Sequence, residues 1–328
     1  MIREAKSNGA YANIAFQTGA DASNEQSREY NLNSVKTINP LLQGLSRRGI
    51  TQIFHYNTSA VYQNGDVNAN GYWMDFSSRR QGSTFNFSYT PGKEPLSQFD
   101  FIFMRGDDVD ETSVDNLKLV DRLEKPVLVN SGSATLATRD KFEIPKRFEE
   151  HPELIPETYT VTSTADLKKA WESLPGDLVV LKGRYGSCGN EVERFPKTSQ
   201  GYQSAEEYFR KVGDLVAQEF LPEIVNGDIR VNVFDGDIIG AFKRLPNGSW
   251  ITNVTNGGRV GPIELGNEFR KRIKLATSLF PEVRFQGVDL TLDSGKFIET
   301  NAFPASLGTV NRVYDTWQEE EILARLSV

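Results

Sequence analysis

Cysteine and histidine are scarce in this sequence, and their scarcity excludes several kinds of catalytic or metal-binding site. The 328 residues include one cysteine and two histidines. A single cysteine cannot form an internal disulfide or a four-cysteine zinc site. The two histidines, His55 and His151, argue against a histidine-based metal centre and against a Ser–His triad.

Long apolar runs and an excess of positive charge are absent as well. No stretch approaches the roughly 20 apolar residues that span a membrane, and the start, MIREAKSNGAYANIAF, lacks the apolar run of a signal peptide. The net charge of −7 argues against nucleic acid as a partner. Hydrophobic residues make up 38% and charged residues 25% of the chain, an ordinary globular composition. We expect a cytoplasmic protein of two or three domains with no membrane partner.

The first part of the chain alternates segments typical of strands with segments typical of helices. Strands are predicted at Ala12–Phe16, Thr51–Tyr56, Phe99–Arg105 and Pro126–Asn130, and helices at Leu32–Arg48 and Thr112–Leu123. Short apolar runs such as FDFIFMR are typical of strands buried in a parallel sheet. This rhythm predicts a doubly wound α/β domain. The stretch Val61–Ser88, rich in Asn, Gly and aromatic residues, predicts hairpins or a long loop.

A second region of alternating elements starts near Val127. Strands are predicted at Tyr159–Val161, Leu178–Lys182, Arg230–Phe234 and Ile238–Phe242, with another in LVAQEF. Helices are predicted at Ser163–Leu174, in AEEYFRKV, at Leu265–Phe280 and at Tyr314–Leu326. The Asp-Gly-Asp sequence between the Arg230 and Ile238 strands is a strong hairpin signal.

The segment GVDLTLDSGKFIETN predicts a β-hairpin that carries oxygen ligands. Apolar residues alternate with polar ones on the first strand, and Asp293–Lys296 supplies the turn. Asp289, Glu299 and Asn301 then fall on polar positions of adjacent strands. Two carboxylates and an amide suit Mg²⁺ shared with nucleotide phosphates. A solvated hairpin with ordinary surface acids is the alternative.

A glycine-rich segment, GRYGSCGNE, follows the predicted strand that ends at Lys182. Glycines let backbone amides approach a phosphate closely, and Lys182 could neutralise its charge. The spacing matches neither a Walker loop nor the dinucleotide fingerprint, so a flexible turn is the alternative. A later strand ends with residues that could border an adenine ring, or simply end a strand: Gln218, Glu219, Phe220 and Leu221.

Arginines occur in three further motifs, GDIRV, FKRLP and NGGRV, as Arg230, Arg244 and Arg259. The fixed fork of arginine suits carboxylate and phosphate oxygens, although a surface ion pair is the alternative for each. The stretch Asn247–Pro262 is rich in Gly and Asn and has no helical period. It predicts a mobile loop that closes over a charged substrate, with a disordered surface excursion as the alternative.

These segments occur in one succession, and in that order the chain resembles the ATP-grasp superfamily, and within it the prokaryotic-type glutathione synthetases. The resemblance is densest from Phe99 to Gly308 and rests on FIFMRGDD, VNSGSATLATRDK, LPEIVNGDIRVNVFDGDIIGAFKRLP, NVTNGGR and GVDLTL with FIETN. It implies an ATP-grasp fold, of mixed α/β class, preceded by the doubly wound α/β domain. The expected domains are residues 1–125, a lid subdomain at 126–200 and a catalytic domain at 201–328.

The resemblance also implies roles by position. For ATP, the resemblance implies that Lys141 and Lys182 contact the phosphates and that Gly186, Ser187 and Gly189 form a lid over them. It implies that Asp228 contacts the ribose. The implied adenine contacts are Gln218, Glu219, Phe220 and Leu221. For catalysis, the resemblance implies that Arg244 faces the transferred phosphate. It implies that Arg259, Asn253 and Gly258 lie over the acyl substrate, with Arg105 as a further substrate contact. The implied metal ligands are Asp289, Glu299 and Asn301, for Mg²⁺ with Mn²⁺ as an alternative.

The resemblance implies a reaction that ligates a carboxylate to an amine through an acyl phosphate. The leading substrates are γ-glutamylcysteine and glycine. The resemblance also implies a homo-oligomer. The chain departs from the family at Lys182-Gly-Arg-Tyr-Gly, where Lys-Pro-Leu-Asp-Gly is usual, and at Ala302–Gly308, where a Val-Thr-Ser-Pro type run is usual. A ligase of another peptide or amino acid therefore stays open. So do a phosphotransferase that needs no amine and a nucleotide-binding protein without turnover.

Overall fold

The computed structural model of the chain describes residues 12–18, 38–77, 87–105, 111–185, 191–248, 250, 252, 254 and 257–328. The described residues fall into two compact units. The first draws on Met1–Leu136, Glu282–Phe285 and Ala302–Val328, and the second on Ala137–Pro281 and Gln286–Asn301. The predicted domain boundaries at residues 125 and 200 stay a prediction.

The first unit is built on a six-stranded sheet with the order β4-β3-β2-β1-β5-β6. Its strands are β1 Ile14–Thr18, β2 Gln52–Asn64, β3 Asp66–Asp75, β4 Ser88–Pro95, β5 Phe101–Arg105 and β6 Val127–Val129. Strands β1, β2, β5 and β6 pair in parallel, as predicted from the first half of the sequence. Strand β2 continues past the predicted end, turns at Gly65 with φ of 75° and pairs antiparallel with β3. The stretch predicted as hairpins or a loop therefore extends the parallel sheet with antiparallel strands.

Aromatic and aliphatic side chains fill one face of this sheet. The Phe54 ring stacks on Phe99 with 5.6 Å between ring centroids, and Ile102 and Leu117 join the same buried cluster. The helix Glu111–Val120 supplies Leu117, which confirms the predicted helix there. The described part of the predicted Leu32–Arg48 helix covers residues 38–47, and residues 32–37 lie outside the described chain.

The C-terminal helix predicted at Tyr314–Leu326 is present but begins four residues later than predicted, because a separate helix ends at Tyr314. The two helices span Leu307–Tyr314 and Gln318–Arg325. Asp315 between them adopts a left-handed conformation with φ of 53°, which a continuous right-handed helix does not tolerate. Both helices belong to the first unit, where Arg47 donates a 2.6 Å hydrogen bond to Glu319.

The second unit contains a four-stranded antiparallel sheet and most of a five-stranded sheet. The first has the order β7-β10-β8-β9 and consists of β7 Thr158–Val161, β8 Leu178–Gly183, β9 Val192–Pro196 and β10 Leu215–Glu219. The second has the order β13-β12-β11-β14-β15 and consists of β11 Asp228–Phe234, β12 Asp237–Leu245, β13 Arg259–Gly261, β14 Phe285–Thr291 and β15 Phe297–Ala302. The helices are Gly132–Arg139, which begins in the first unit, Glu143–Arg147, Thr164–Ser173, Ser199–Val212 and Asn267–Ser278.

Local sequence signals set several of these elements. Ser163 accepts a hydrogen bond from the Asp166 backbone and begins the helix Thr164–Ser173, as its Ser and Asp predict. Asp235 and Gly236 both have positive φ, 47° and 82°, as a tight hairpin turn between β11 and β12 requires. Strand β13 was not predicted: it lies inside the stretch expected to be an irregular loop and pairs with β12.

The described residues include no helix with the length and apolar character needed to cross a membrane.

Candidate active site

Two lysines of the second unit share one electrostatic environment. Burial lowers the pKa of Lys182 to about 8, and the nearby charge of Glu299 acts against that change. Burial also lowers the pKa of Lys141, again with Glu299 as the main opposing charge. Lys141 also lowers the pKa of Lys182, as one cation does to another at close range. We call Lys141, Lys182 and Glu299 the lysine cluster. An enclosed pair of ammonium groups of this kind favours a bound anion.

A chain of hydrogen bonds fixes the position of Lys182. Its Nζ donates to Gln218 Oε1 at 2.6 Å, and Gln218 Nε2 donates to Thr158 Oγ1 at 2.8 Å. The Thr158 hydroxyl donates its own proton to the Pro156 carbonyl at 2.7 Å, so it can only accept from the glutamine. The amide oxygen of Gln218 is thereby turned towards the lysine. The sequence indicated Gln218 but not Thr158, because only the pairing of β7 with β10 brings them together.

A second set of polar side chains forms an ion-pair network. This arginine cluster consists of Asp228, Arg230, Arg244, Thr252 and Asp289. Arg230 donates to both oxygens of Asp289, with 2.7 Å from Nη2 to Oδ2, and Arg244 Nη2 lies 2.8 Å from the same oxygen. Arg244 also donates to Asp228 at 2.7 Å and 2.5 Å, and Thr252 Oγ1 donates to Asp228 at 2.6 Å. Burial favours the neutral acid, but the two arginines outweigh it and hold the pKa of Asp289 below its ordinary value.

The hairpin β14–β15 carries the predicted metal ligands. Asp289 lies in β14, and Glu299 and Asn301 lie in β15, where Asn301 Nδ2 donates to Glu299 Oε1 at 3.1 Å. No group of three or more His, Cys, Asp or Glu side chains suited to a metal occurs in the part of the chain that the structure describes. Two carboxylates and an amide supply hard oxygen donors only, so this set fits Mg²⁺ that is also bound by nucleotide phosphates.

The predicted adenine segment lies at the end of β10. Glu219 Oε2 accepts hydrogen bonds from Lys296 Nζ and from the Glu157 backbone, each at 3.1 Å. The Phe220 ring packs edge-on against Trp250 with 6.0 Å between centroids. The Arg194 guanidinium lies 5.4 Å from the Phe220 ring and 5.5 Å from the Trp250 ring. No motif in the sequence indicated that Arg194 lies beside these rings.

The remaining predicted residues are distributed more widely. Leu221 precedes the short 3-10 helix Pro222–Asn226. Gly258 directly precedes β13, and Arg259 begins this strand with an exposed side chain. Arg105 ends β5 in the first unit. Four residues lie outside the described chain: Gly186, Ser187, Gly189 and Asn253.

Comparison with known proteins identifies the family to which the chain belongs. Residues 146–314, just over half of the chain, match the family model for the prokaryotic glutathione synthetase ATP-grasp domain. A glutathione synthetase of Prochlorococcus marinus is 28% identical over 248 residues, which cover 73% of this chain and 78% of that protein. A coenzyme γ-F420-2:α-L-glutamate ligase of Methanococcus maripaludis is 24% identical over 212 residues, 62% of this chain and 73% of that protein.

A solved structure shares the fold across nearly the whole chain. The macrocyclase MdnC bound with precursor peptide MdnA, from Microcystis aeruginosa, superposes with a TM-score of 0.60 at 15% identity and covers 96% of this chain and 100% of that one. At this identity the likeness shows the fold alone. Together with the family model over residues 146–314, this likeness confirms the predicted ATP-grasp fold.

Proposed function

Because this chain belongs to the family of the prokaryotic glutathione synthetase ATP-grasp domain, we propose that it is an ATP- and Mg²⁺-dependent ligase that joins a carboxylate to an amine. One observation carries this proposal: the second unit brings the enclosed cations Lys141 and Lys182 within the field of Glu299, a residue of the oxygen-ligand hairpin. Cations for phosphates and hard oxygen ligands for Mg²⁺ are the parts that phosphoryl transfer needs.

Each group of site residues then has a proposed role. Lys141 and Lys182 bind the phosphates of ATP, and Gln218 to Leu221 border the adenine. Mg²⁺, held by Asp289, Glu299 and Asn301, would offset charge on the phosphates. Arg244 lies against Asp228 and Asp289 and stabilises charge on the transferring phosphoryl group.

The proposed chemistry has two steps. The substrate carboxylate attacks the γ-phosphorus, which forms an acyl phosphate and releases ADP. The amine then attacks the acyl carbon, and phosphate leaves as the C–N bond forms. Gly186, Ser187 and Gly189 are proposed to cover the phosphates, and the proposed substrate contacts are Arg105, Asn253, Gly258 and Arg259. Exclusion of water by such covering segments protects an acyl phosphate from hydrolysis.

The first candidate substrates are γ-glutamylcysteine and glycine, supported by the glutathione synthetase relatives. The second candidate is another amino acid or a peptide. A relative that is a glutamate ligase matches over 62% of the chain at similar identity, so relatives at this distance differ in their substrates. The departure from the family at Ala302–Gly308, which borders the acyl-acceptor region, also favours this second candidate.

A screen for ADP release tests the proposal. Purified protein is incubated with MgATP and with pairs of carboxylates and amines, including γ-glutamylcysteine with glycine and with other amino acids, and products are identified by mass spectrometry. ADP and a condensed product are expected only when both partners are present. If ADP and a phosphorylated carboxylate are produced without an amine, the protein is a phosphotransferase instead. ATP binding without ADP release in any pair would favour a nucleotide-binding protein without turnover.

The family resemblance also supports a homo-oligomer. Light scattering at micromolar concentration is expected to give a mass above that of one chain. A monomeric mass would end this proposal without affecting the ligase reaction.

A further inference from the structure

Arg184 stands at a position where this chain departs from the family sequence, two residues after Lys182. Its guanidinium forms a two-pronged ion pair with Asp140, with 2.8 Å from Nε to Oδ1 and 2.6 Å from Nη2 to Oδ2. Its third nitrogen, Nη1, lies 3.2 Å from Asp214 Oδ2. Parallel hydrogen bonds of this kind fix direction as well as distance.

The backbone of Arg184 reaches the same segment as its side chain. The Lys141 backbone N–H donates to the Arg184 carbonyl at 3.1 Å, and the Arg184 N–H donates to the Asp214 carbonyl at 3.0 Å. Asp140 directly precedes Lys141. Arg184 therefore holds both residues of the pair Asp140–Lys141, one through its side chain and one through its main chain.

Aromatic rings complete the site. The Arg184 guanidinium lies 4.3 Å from the centre of the Phe142 ring and 5.0 Å from that of Tyr185. The Asp140 carboxylate also accepts from the Phe142 backbone at 3.0 Å, which fixes the turn that follows Lys141. A planar guanidinium can bind both oxygens of a carboxylate at its edge while its face lies on a ring, and a lysine ammonium lacks this planar two-pronged edge.

The charge of Arg184 is already matched. The Asp140 hydrogen bond raises the pKa of Arg184, with a smaller contribution from Asp214. Two carboxylates therefore occupy all the nitrogens that could otherwise meet a phosphate. This arrangement suits a residue that acts on its neighbours, rather than a third cation for the nucleotide.

We propose that Arg184 is a positioning residue: it holds the segment that carries Lys141 against the end of β8 that carries Lys182, and so sets the spacing of the two ammonium groups that receive the phosphates. The inference rests on the proposed function, because it needs a nucleotide at the lysine cluster. It concerns a residue for which the family motif offers no equivalent. A purely structural Arg184 would stabilise the fold without any preference for the number of phosphates on the ligand.

The test compares nucleotides that differ in phosphate number. Binding of MgATP and of AMP is measured by calorimetry for the wild type, Arg184→Lys, Asp140→Asn and the double variant. Arg184→Lys keeps the charge and loses the fork, and Asp140→Asn keeps the shape and loses the charge. Loss of charge-assisted hydrogen bonds is expected to weaken ATP binding about tenfold in each single variant. AMP binding is expected to change less than about threefold, since fewer phosphates meet the lysines.

Asp214→Asn is the matched control, because Asp214 also pairs with Arg184 but touches neither Asp140 nor Lys141 through its side chain. Its more exposed, 3.2 Å contact is expected to change ATP binding less than about twofold. The double variant is expected to lose no more than the worse single variant, since both changes remove one interaction. Denaturant titrations confirm that each variant is folded under the binding conditions, and Arg184→Lys is the mildest change.

The outcomes separate the inference from the function on which it rests. Wild-type protein that binds no MgATP would overturn the proposed function, and this inference with it. The inference alone would be overturned if the wild type binds MgATP and the variants weaken ATP and AMP binding equally. It would also be overturned if the variants weaken neither. Additive losses in the double variant would do the same.

Discussion

The lysine cluster and the arginine cluster are both enclosed sets of charges in the second unit, but their charges are matched in different ways. Lys182 donates to the neutral amide of Gln218, and burial leaves its pKa at about 8. Arg244 donates to two carboxylates, and although burial opposes them, Asp289 and Asp228 raise its pKa. At Lys182 burial outweighs the opposing charge of Glu299, whereas at Arg244 and Asp289 the ion pairs outweigh burial.

This difference indicates which cluster responds to a ligand. Burial lowers the pKa of Lys182 despite the opposing charge of Glu299, so an arriving anion stabilises its charged form. A paired and hydrogen-bonded arginine is charged before a ligand arrives and keeps a fixed direction. We expect Lys182 to gain charge when nucleotide binds, and the arginines to keep the geometry they already have. The predictions that follow alter one cluster or the other.

The largest effect is expected from Glu299→Gln, which removes the acidic residue that acts on both lysines and is a proposed metal ligand. Turnover, measured as ADP release, should fall about a hundred- to a thousandfold, since one preorganised charge is lost. The control is Glu268→Gln on the helix Asn267–Ser278, where the exposed carboxylate pairs with Lys271. Near-normal turnover of Glu299→Gln at limiting Mg²⁺ would remove Glu299 from the metal site.

Lys182→Met is expected to raise the ATP requirement and slow turnover, together by about ten- to a hundredfold. The methionine keeps part of the apolar stem and removes one charge from the phosphates. Lys197→Met is the control, because Lys197 also donates to a single acceptor, the Leu174 carbonyl at 2.6 Å, but lies outside the lysine cluster. Equal kinetics for wild type and Lys182→Met would show that Lys182 is only the end of a strand.

Asp228→Asn separates two roles for a residue of the arginine cluster. Its carboxylate already accepts hydrogen bonds from Arg244 and Thr252, so we expect it to orient Arg244. The variant should lower kcat about tenfold with little change in the Kd of ATP, because one charge-assisted contact to the arginine is lost. The ribose contact implied by the family resemblance predicts the reverse, a weaker Kd at nearly constant kcat.

The smallest effect is expected from Thr158→Val, which leaves Lys182 in place but removes the hydroxyl that orients Gln218. The KM for ATP should rise about two- to tenfold, because this factor corresponds to the free energy of one hydrogen bond. Thr158→Ser keeps the hydroxyl and should restore most of the wild-type KM. If serine and valine raise the KM equally, the relay through Gln218 has no role in nucleotide binding.

Features set by neighbouring residues were predictable from the sequence. The ligand hairpin, the Asp235–Gly236 turn and the Ser163 helix start depend on residues a few positions apart, and each is present. The C-terminal break was missed because an amphipathic pattern does not reveal that Asp315 takes positive φ. The strand Arg259–Gly261 was missed because its pairing partner, rather than its own sequence, makes it a strand.

Contacts between distant strands were not predictable from local pattern. Arg230 meets Asp289 across 59 positions, Gln218 meets Thr158 across 60, and Arg184 meets Asp140 across 44. Each depends on which elements are neighbours in space, and a single sequence does not state that order. The family resemblance supplied the lysines and the ligand hairpin, but it carried no information on Arg184, where the chain departs from the family motif.

The measurement that most directly tests the difference between the clusters is proton uptake when MgATP binds. Calorimetric titration at pH 8.5 in buffers of different ionisation enthalpy counts the protons taken up. The pKa of Lys182 is about 8 in the free protein, so part of the population is neutral at this pH, and phosphate binding should raise that pKa and draw in protons. We predict uptake by the wild type and clearly less uptake by Lys182→Met. Absence of binding, or equal uptake by the two proteins, would contradict a phosphate site at the lysine cluster.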